Sequence, residues 1–195
     1  MYIYGASGHA KVIIDLLDQQ TDINGVFDDN PRIIEILGYP VQHEIPPWFK
    51  FEKPLFIAIG DNLSRKRIAK KLSLQANFAT IIDNRAIISR RCFIGEGSVV
   101  MEGAIIKVNA QIGKQVIINT GASVDHDCWI GDFVHIAPQA ALCGDVSIGE
   151  GTIVGANALI LPGISIGSWC KIGAGSVVNK DVPDGATWIG YKLKY

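Results

Sequence analysis

The chain has 195 residues, 48% of them hydrophobic, and a formal net charge of -1. That composition supports a sizeable core and argues against disorder, and the near-neutral charge gives no electrostatic case for binding nucleic acid. No apolar run approaches the roughly 20 residues of a membrane span, and the N-terminus lacks the basic region and cleavage site of a signal peptide, so a cytoplasmic protein is expected.

The first third reads as strand, glycine turn and helix in repetition. Tyr2-Ile3-Tyr4 is a short strand, Gly5 to His9 a tight loop, and Ala10 to Asp18 an amphipathic helix carrying Val12, Ile13, Leu16 and Leu17. Ile23 to Phe27 is a second strand ending in Asp28-Asp29. Pro46-Pro47 marks a loop, Leu55 to Ile59 is a buried strand, and Gly60-Asp61-Asn62 opens a basic helix with Arg65, Lys66, Arg67, Lys70 and Lys71. This order predicts a small Rossmann-like α/β domain with a parallel sheet over residues 1–79.

A different pattern follows. Every sixth residue from Ile82 to Val178 is aliphatic, without exception. A period of six fits neither a helix nor a half-buried strand; unbroken hexads predict a parallel β-helix coiled around one apolar core. Side chains two apart share a strand face, so the small residue two before each aliphatic also points inward. Cys92, Cys128 and Cys170 fill that slot and read as small core residues, while Cys143 falls at a turn; neither a disulfide framework nor metal spacing is present. Gly95, Gly113, Gly131, Gly149 and Gly167 recur every eighteen residues, with Gly155 and Gly173 at the same spacing elsewhere. Three hexads per coil predict a triangular prism just under six coils tall, with the glycines supplying the dihedrals of its corners. The β-helix is expected over 80–180, with 181–195 as a C-terminal tail.

In open α/β sheets ligands sit at the carboxyl ends of strands. Three loops meet that condition: Gly5 to His9, Asp28-Asp29, and Gly60 to Asn62. The first opens a helix and favours phosphate, although it is not the Gly-x-Gly-x-x-Gly dinucleotide fingerprint. Among four histidines, His43 lies in a loop without a motif and His9 follows the glycine loop. His126 falls at a prism corner, and His135, just before Ile136, points outward. The pair lie half a coil apart, so one chain cannot easily join them.

The loop Gly5-Ala6-Ser7-Gly8-His9 joined to hexads resembles the sugar acyltransferases related to sialic acid O-acetyltransferases. Within them it is most similar to bacterial UDP-4-amino-sugar N-acetyltransferases of the UDP-N-acetylbacillosamine type. Tyr2 to His9, Phe27-Asp28-Asp29, Phe56 to Gly60 and Ile118-Asn119-Thr120 carry the resemblance across nearly the whole chain. It implies a left-handed β-helix, a homotrimer with acetyl-CoA bound between subunits, no metal, and acetyl transfer to the amine of a UDP-linked amino sugar. By resemblance, Asp28 and Asp29 would contact uracil or ribose, and Gly8 and His9 the phosphates, with Gly60 and Asn119 also on the substrate side. His126 in Val124-Asp125-His126-Asp127 matches the catalytic histidine, a suitable general base at neutral pH. Asp127 stands where the family usually has Glu and would orient the ring. The Gly144 N–H would bind the oxyanion, and His135, Gly155, Gly173, Ala174 and Lys180 would line the cofactor site. Gly190 to Lys194 departs from the family pattern at the adenine end. The main alternative is a sugar or sialic acid O-acetyltransferase. A γ-type carbonic anhydrase needs three histidine ligands and the β-helix has two; a non-catalytic nucleotide-sugar scaffold is the remaining alternative.

Overall fold

The computed structural model describes residues 1–18 and 21–194; Tyr195, the last residue of the expected tail, lies outside the described residues. The chain divides into two compact units, Met1–Ala79 and Thr80–Tyr195.

The first unit contains β1 (Tyr2–Tyr4), α1 (Gly8–Asp18), β2 (Gly25–Phe27), β3 (Glu35–Ile36), β4 (Tyr39–Gln42), β5 (Leu55–Ile57) and α2 (Asn62–Leu72). The sheet order is β3-β4-β2-β1-β5, with β4, β2, β1 and β5 parallel and β3 antiparallel at the edge. Alternation along these strands divides the core. Tyr4, Phe27 and Leu55 pack with Leu72 of α2 on one side, where Tyr2, Phe49 and Phe51 add edge-on aromatic contacts at 5.0–5.9 Å. Ile3, Val26 and Phe56 are buried between them in sequence and point to the other face.

Helix α1 starts at Gly8, two residues earlier than the apolar pattern suggests, because Lys11 N–H already bonds Ser7 O at 3.1 Å. Strands β3 and β4 escape the sequence reading altogether. They form a hairpin turned by Leu37 (φ 48) and Gly38 (φ 83), a two-residue connection that needs positive φ at both positions.

The second unit is a left-handed parallel β-helix. Its rungs are two-residue strands stacked eighteen residues apart on three faces. Face 1 runs through Ile81–Ile82, Val99–Val100, Ile117–Ile118 and His135–Ile136; face 2 through Ile87–Ile88, Ile105–Ile106 and Ser123–Val124; face 3 through Phe93–Ile94, Gln111–Ile112 and Trp129–Ile130. The aliphatic series fills one continuous core from Val100 to Val178, joined by the small residues two positions earlier, Cys128 and Cys170 among them. At the first coil the series is less covered, and Ile82 is 43% exposed.

Two features of the corners differ from the expectation. The left-handed backbone sits at a separate sixth-residue series, from Gly97 and Gly103 through Asn109, Gln115, Gly121 and Asp127 to Gly175. Gly, Asn and Asp dominate it because they tolerate that region. The glycines at 95, 113, 131, 149 and 167 have no positive φ. They are small because the next coil is too close: a Cβ on Gly149 would lie 2.4 Å from Ser168 N, and one on Gly131 2.8 Å from Glu150 N.

Residues 181–189 continue the prism, and Lys192–Lys194 folds back on it as an antiparallel strand. Thr187–Ile189 adds a strand to face 1 beside Lys171–Ile172. Trp188 is fully buried in the core cluster, its indole N–H donating to Val177 O and Gly190 O at 3.2 and 3.0 Å. Among the described residues no helix is long and apolar enough to cross a membrane.

Candidate active site

The parallel register brings Tyr4, Phe27 and Ile57 level, so the loops after β1, β2 and β5 share one edge. Gly5 is held at φ +117, and a Cβ there would meet Ala58 O at 2.7 Å; no other residue fits between β1 and β5. The Asp28 carboxylate is occupied by the protein itself, one oxygen accepting from Ala6 N–H at 2.7 Å and the other from Asn30 N–H at 2.8 Å. The Asp29 carboxylate instead lies near the Tyr4 hydroxyl and makes a loose 3.9 Å approach to Lys71.

A cleft of about 360 Å³ opens at this edge, lined by Tyr4, Phe27, Asp29, His43, Glu44 and Ile45 among others. Burial, with the Asp29 carboxylate nearby, pushes the Tyr4 hydroxyl up. His43, without a motif in sequence, follows β4 and bonds Asp28 O through Nδ1 at 3.1 Å. The signal that could have found it is the same strand-end rule applied to β4.

The two helix starts differ. At α2, Asp61 caps the helix by accepting from Ser64 N–H at 2.8 Å. At α1, Ser7 and Gly8 are exposed and the first turn holds no acidic residue, so its positive end is open to an anion. Arg65, one of the cations of the basic helix, turns inward and is 1% exposed. It donates to Ile59 O at 2.9 Å, Gly60 O at 3.1 Å and Asn62 Oδ1 at 2.8 Å, fixing the Gly60 loop. Burial, then the Arg65 charge, push His9 down to about 4. Its Nε2 is buried without a hydrogen-bond partner. His9 is therefore neutral at pH 7 and offers a ligand a ring, not a positive charge.

In the β-helix the candidates fall on two corners. The corner between faces 2 and 3 carries His126 and Gly144 one above the other, with Lys180 two coils further on in the same column. The His126 side chain is 55% exposed, and its Nδ1 lies 2.8 Å from Asp127 Oδ2. With the proton on Nδ1 donated to the carboxylate, the Nε2 lone pair is free to accept. The bond to Asp127, followed by the charges of Asp125, Asp127 and Asp145, raises the imidazole above its ordinary value. The same bond and one from Asn109 Nδ2 at 3.0 Å lower Asp127. Gly144 lies against the ring: a Cβ there would sit 2.4 Å from His126 Cε1 and 2.5 Å from Nε2. Among the described residues no acceptor takes the Gly144 N–H. Lys180 places its Nζ 5.9 Å from the Trp188 ring centroid.

The corner between faces 1 and 2 carries Asn119, Gly155 and Gly173 in one column, with His135 on face 1 beside it. Asn119 Nδ2 donates to His135 Nε2 at 3.1 Å, and Asn119 Oδ1 accepts from Thr120 N–H at 2.8 Å. Gly155 is dictated by the next coil, since a Cβ would meet Ala174 N at 2.6 Å; Ala174 is exposed. His126 and His135 are thus set apart within one chain, with face 2 between the corners. The outward residues of face 2 are Ile87, Ile105, Ser123, Ala141, Leu159 and Val177, every one apolar or small. Among the described residues no group of three or more His, Cys, Asp or Glu could hold a metal.

The family described as PglD N-terminal domain matches residues 1–72, and Bacterial transferase hexapeptide (six repeats) matches 145–180. A histidine-to-asparagine mutant of perosamine N-acetyltransferase from Caulobacter crescentus, solved with CoA and GDP-perosamine, superposes with a TM-score of 0.93 at 36% identity, covering 100% of this chain and 96% of that one. The acetyltransferase domain of PglB from Neisseria gonorrhoeae has a TM-score of 0.89 at 32% identity, covering 99% and 97%. UDP-N-acetylbacillosamine N-acetyltransferase of Bacillus subtilis is 42% identical over 109 residues, 51% of this chain; the match spans 50% of that relative's length. The chain belongs to the sialic acid O-acetyltransferase-like sugar acyltransferases, in which a PglD-type N-terminal domain precedes a hexapeptide β-helix.

Proposed function

We propose that the protein transfers the acetyl group of acetyl-CoA to the amine of a nucleotide-linked amino sugar, with His126 as general base. The observation that carries this is the His126–Asp127 pair: an imidazole held through Nδ1 at 2.8 Å, half exposed, beside an unengaged backbone N–H at Gly144. The amine nitrogen attacks the thioester carbonyl and its proton passes to Nε2. The Gly144 N–H stabilises the oxyanion of the tetrahedral intermediate. As the C–S bond breaks, the imidazolium returns the proton to the departing CoA thiolate. The perosamine N-acetyltransferase solved with CoA, the PglB acetyltransferase domain solved with acetyl-CoA and the UDP-N-acetylbacillosamine N-acetyltransferase relative support the reading.

The acceptor's nucleotide binds the first unit. Asp29, His43 and the cleft between them take the base and ribose, and the open start of α1 at Gly8 takes the phosphates, with neutral His9 donating a hydrogen bond. We favour a UDP-linked 4-amino-4,6-dideoxy sugar, the UDP sugar being supported by the Bacillus subtilis relative; the Caulobacter crescentus enzyme binds GDP-perosamine. Acetyl-CoA lies along the corner of Gly155, Gly173 and Ala174, with His135 beside it. That corner and His126 complement each other only between neighbouring chains, and the apolar outer column of face 2 supports a homotrimer that brings them together. Ala141→Lys puts a charge in that column; it should yield monomers by light scattering and abolish acetyl-CoA binding.

The deciding experiment is His126→Ala. It should lower kcat/KM by roughly 10²–10⁴ while leaving acetyl-CoA affinity in place, assayed against UDP- and GDP-linked 4-amino sugars in parallel. Near-wild-type turnover removes the base; transfer to a sugar hydroxyl alone would make the protein an O-acetyltransferase.

A further inference from the structure

The short side chain of Asp127 reaches the ring of its neighbour, His126 Nδ1, at 2.8 Å. Backbone conformation supplies part of the reach, since Asp127 occupies the left-handed region at φ 60. The rest lies one coil away. Asn109, eighteen residues earlier, occupies the equivalent left-handed slot at φ 61. Its amide donates to Asp127 Oδ1, the oxygen that His126 does not use. The terminal torsion of an aspartate is broad and weakly restrained. With one oxygen held by each partner, that torsion is pinned. We propose that Asn109 is a positioning residue for the acetyl transfer, holding the Asp127 carboxylate at 3.0 Å so that the carboxylate in turn holds the His126 ring; this rests on the base role proposed above.

A neutral amide suits the task better than a cation. Lysine or arginine at this place would compensate the carboxylate and weaken its pull on the imidazolium. The charged groups that bear on His126 are all acidic, Asp125, Asp127 and Asp145, and they favour its protonated form. Asn109 keeps the nearest of them aimed at the ring without adding charge. The plain competitor is that Asn109 only tolerates a left-handed corner. Glycine tolerates it as well, so Asn109→Gly removes the amide and leaves the turn.

The test is an NMR titration of the four histidine rings, with His126 assigned through His126→Ala, together with kcat/KM across pH. In Asn109→Gly the His126 titration should move down toward 6.5, and the acid limb of kcat/KM should move with it. The plateau should fall roughly three- to tenfold, the scale of one hydrogen bond, with KM for acetyl-CoA unchanged and the Tm retained. Asn109→Asp, which keeps the shape but loses the donor, should not restore the rate. In an Asp127→Ala background Asn109→Gly should cost nothing further. An unmoved His126 titration in Asn109→Gly, or an equal loss on top of Asp127→Ala, overturns the proposal. If His126→Ala retained turnover the base role would fall, while the titration shift in Asn109→Gly would still report whether the amide positions the pair.

Discussion

Gly144→Ala separates the position of the imidazole from every other feature of the site. The added Cβ would lie 2.4 Å from His126 Cε1 and 2.5 Å from Nε2, whereas ordinary contact begins near 3.4 Å. The ring must therefore retreat by about 1 Å, and a displacement of that size in a reacting group costs on the order of 10²-fold in rate. This corresponds to about 2.7 kcal/mol of transition-state stabilisation. Stability should hardly change. Gly144 has no positive φ for alanine to strain, and the atoms that must yield are the end of a half-exposed side chain, so an effect within about 0.5 kcal/mol is expected. The backbone N–H remains, so the oxyanion donor is still present. Thiol release from acetyl-CoA gives kcat/KM, and a melting curve gives the Tm. The expected result is a rate lowered about a hundredfold at an unchanged Tm, with no further loss when the substitution is added to His126→Ala. Wild-type kcat/KM in Gly144→Ala, or an additive loss in the double variant, would refute the reasoning.

Gly149→Ala should do the opposite, because its Cβ would strike backbone: 2.4 Å to Ser168 N and 2.5 Å to Gly167 C. Overpacking of that kind costs about 1–3 kcal/mol, so the Tm should drop by roughly 2–12 °C for a chain of this size; an unchanged Tm would show that the next coil does not exclude a side chain there. His9 should contribute to acid sensitivity between pH 7 and 4. Its folded-state value of about 4 lies below the unfolded 6.5, so the folded state is favoured above pH 6.5 and loses up to about 3 kcal/mol as the pH falls through 4. His9→Gln should flatten that part of the stability profile, read by urea unfolding at steps between pH 7 and 4; an unaltered slope would show that His9 is not the titrating group.

The period of six made the β-helix legible because each aliphatic lands in the same core slot on all three faces. The register also carried information outward. Once Val124 is inside, His126 must stand at a corner, and once Ile136 is inside, His135 must face out. The N-terminal sheet was readable where strands are apolar runs, and β3 and β4 were not, because Glu35–Ile36 and Tyr39–Gln42 are short and Pro40 argues against a strand. Losing β4 hid His43. Arg65 was hidden for a different reason: a basic helix pattern does not say which of its cations turns inward to bind carbonyls. The glycines every eighteen residues were visible, but their cause was not, since spacing cannot distinguish a strained dihedral from a neighbouring coil that an added Cβ would meet at 2.3–2.8 Å. Asn109 belongs to this class too. A partner one coil away is eighteen residues distant, and an asparagine at a turn reads simply as a turn.

The hexad itself explains why chemistry collects at the corners. Of the six positions, the aliphatic and the small residue are committed to the core, and one is committed to left-handed backbone. On face 2 the residue before each aliphatic forms the apolar column from Ile87 to Val177. What remains are the residue just after the aliphatic, such as Asp125, and the outer corner slot, and the column through Val108, His126, Gly144, Pro162 and Lys180 shows how variable that corner is. A base can be placed there at no cost to packing, and a glycine above it makes room for the ring. Even the left-handed slot can be recruited, because Asn and Asp both tolerate it and both carry hydrogen-bonding ends. Asn109 and Asp127 use that coincidence to support His126 from positions the coil already required to be Gly-like.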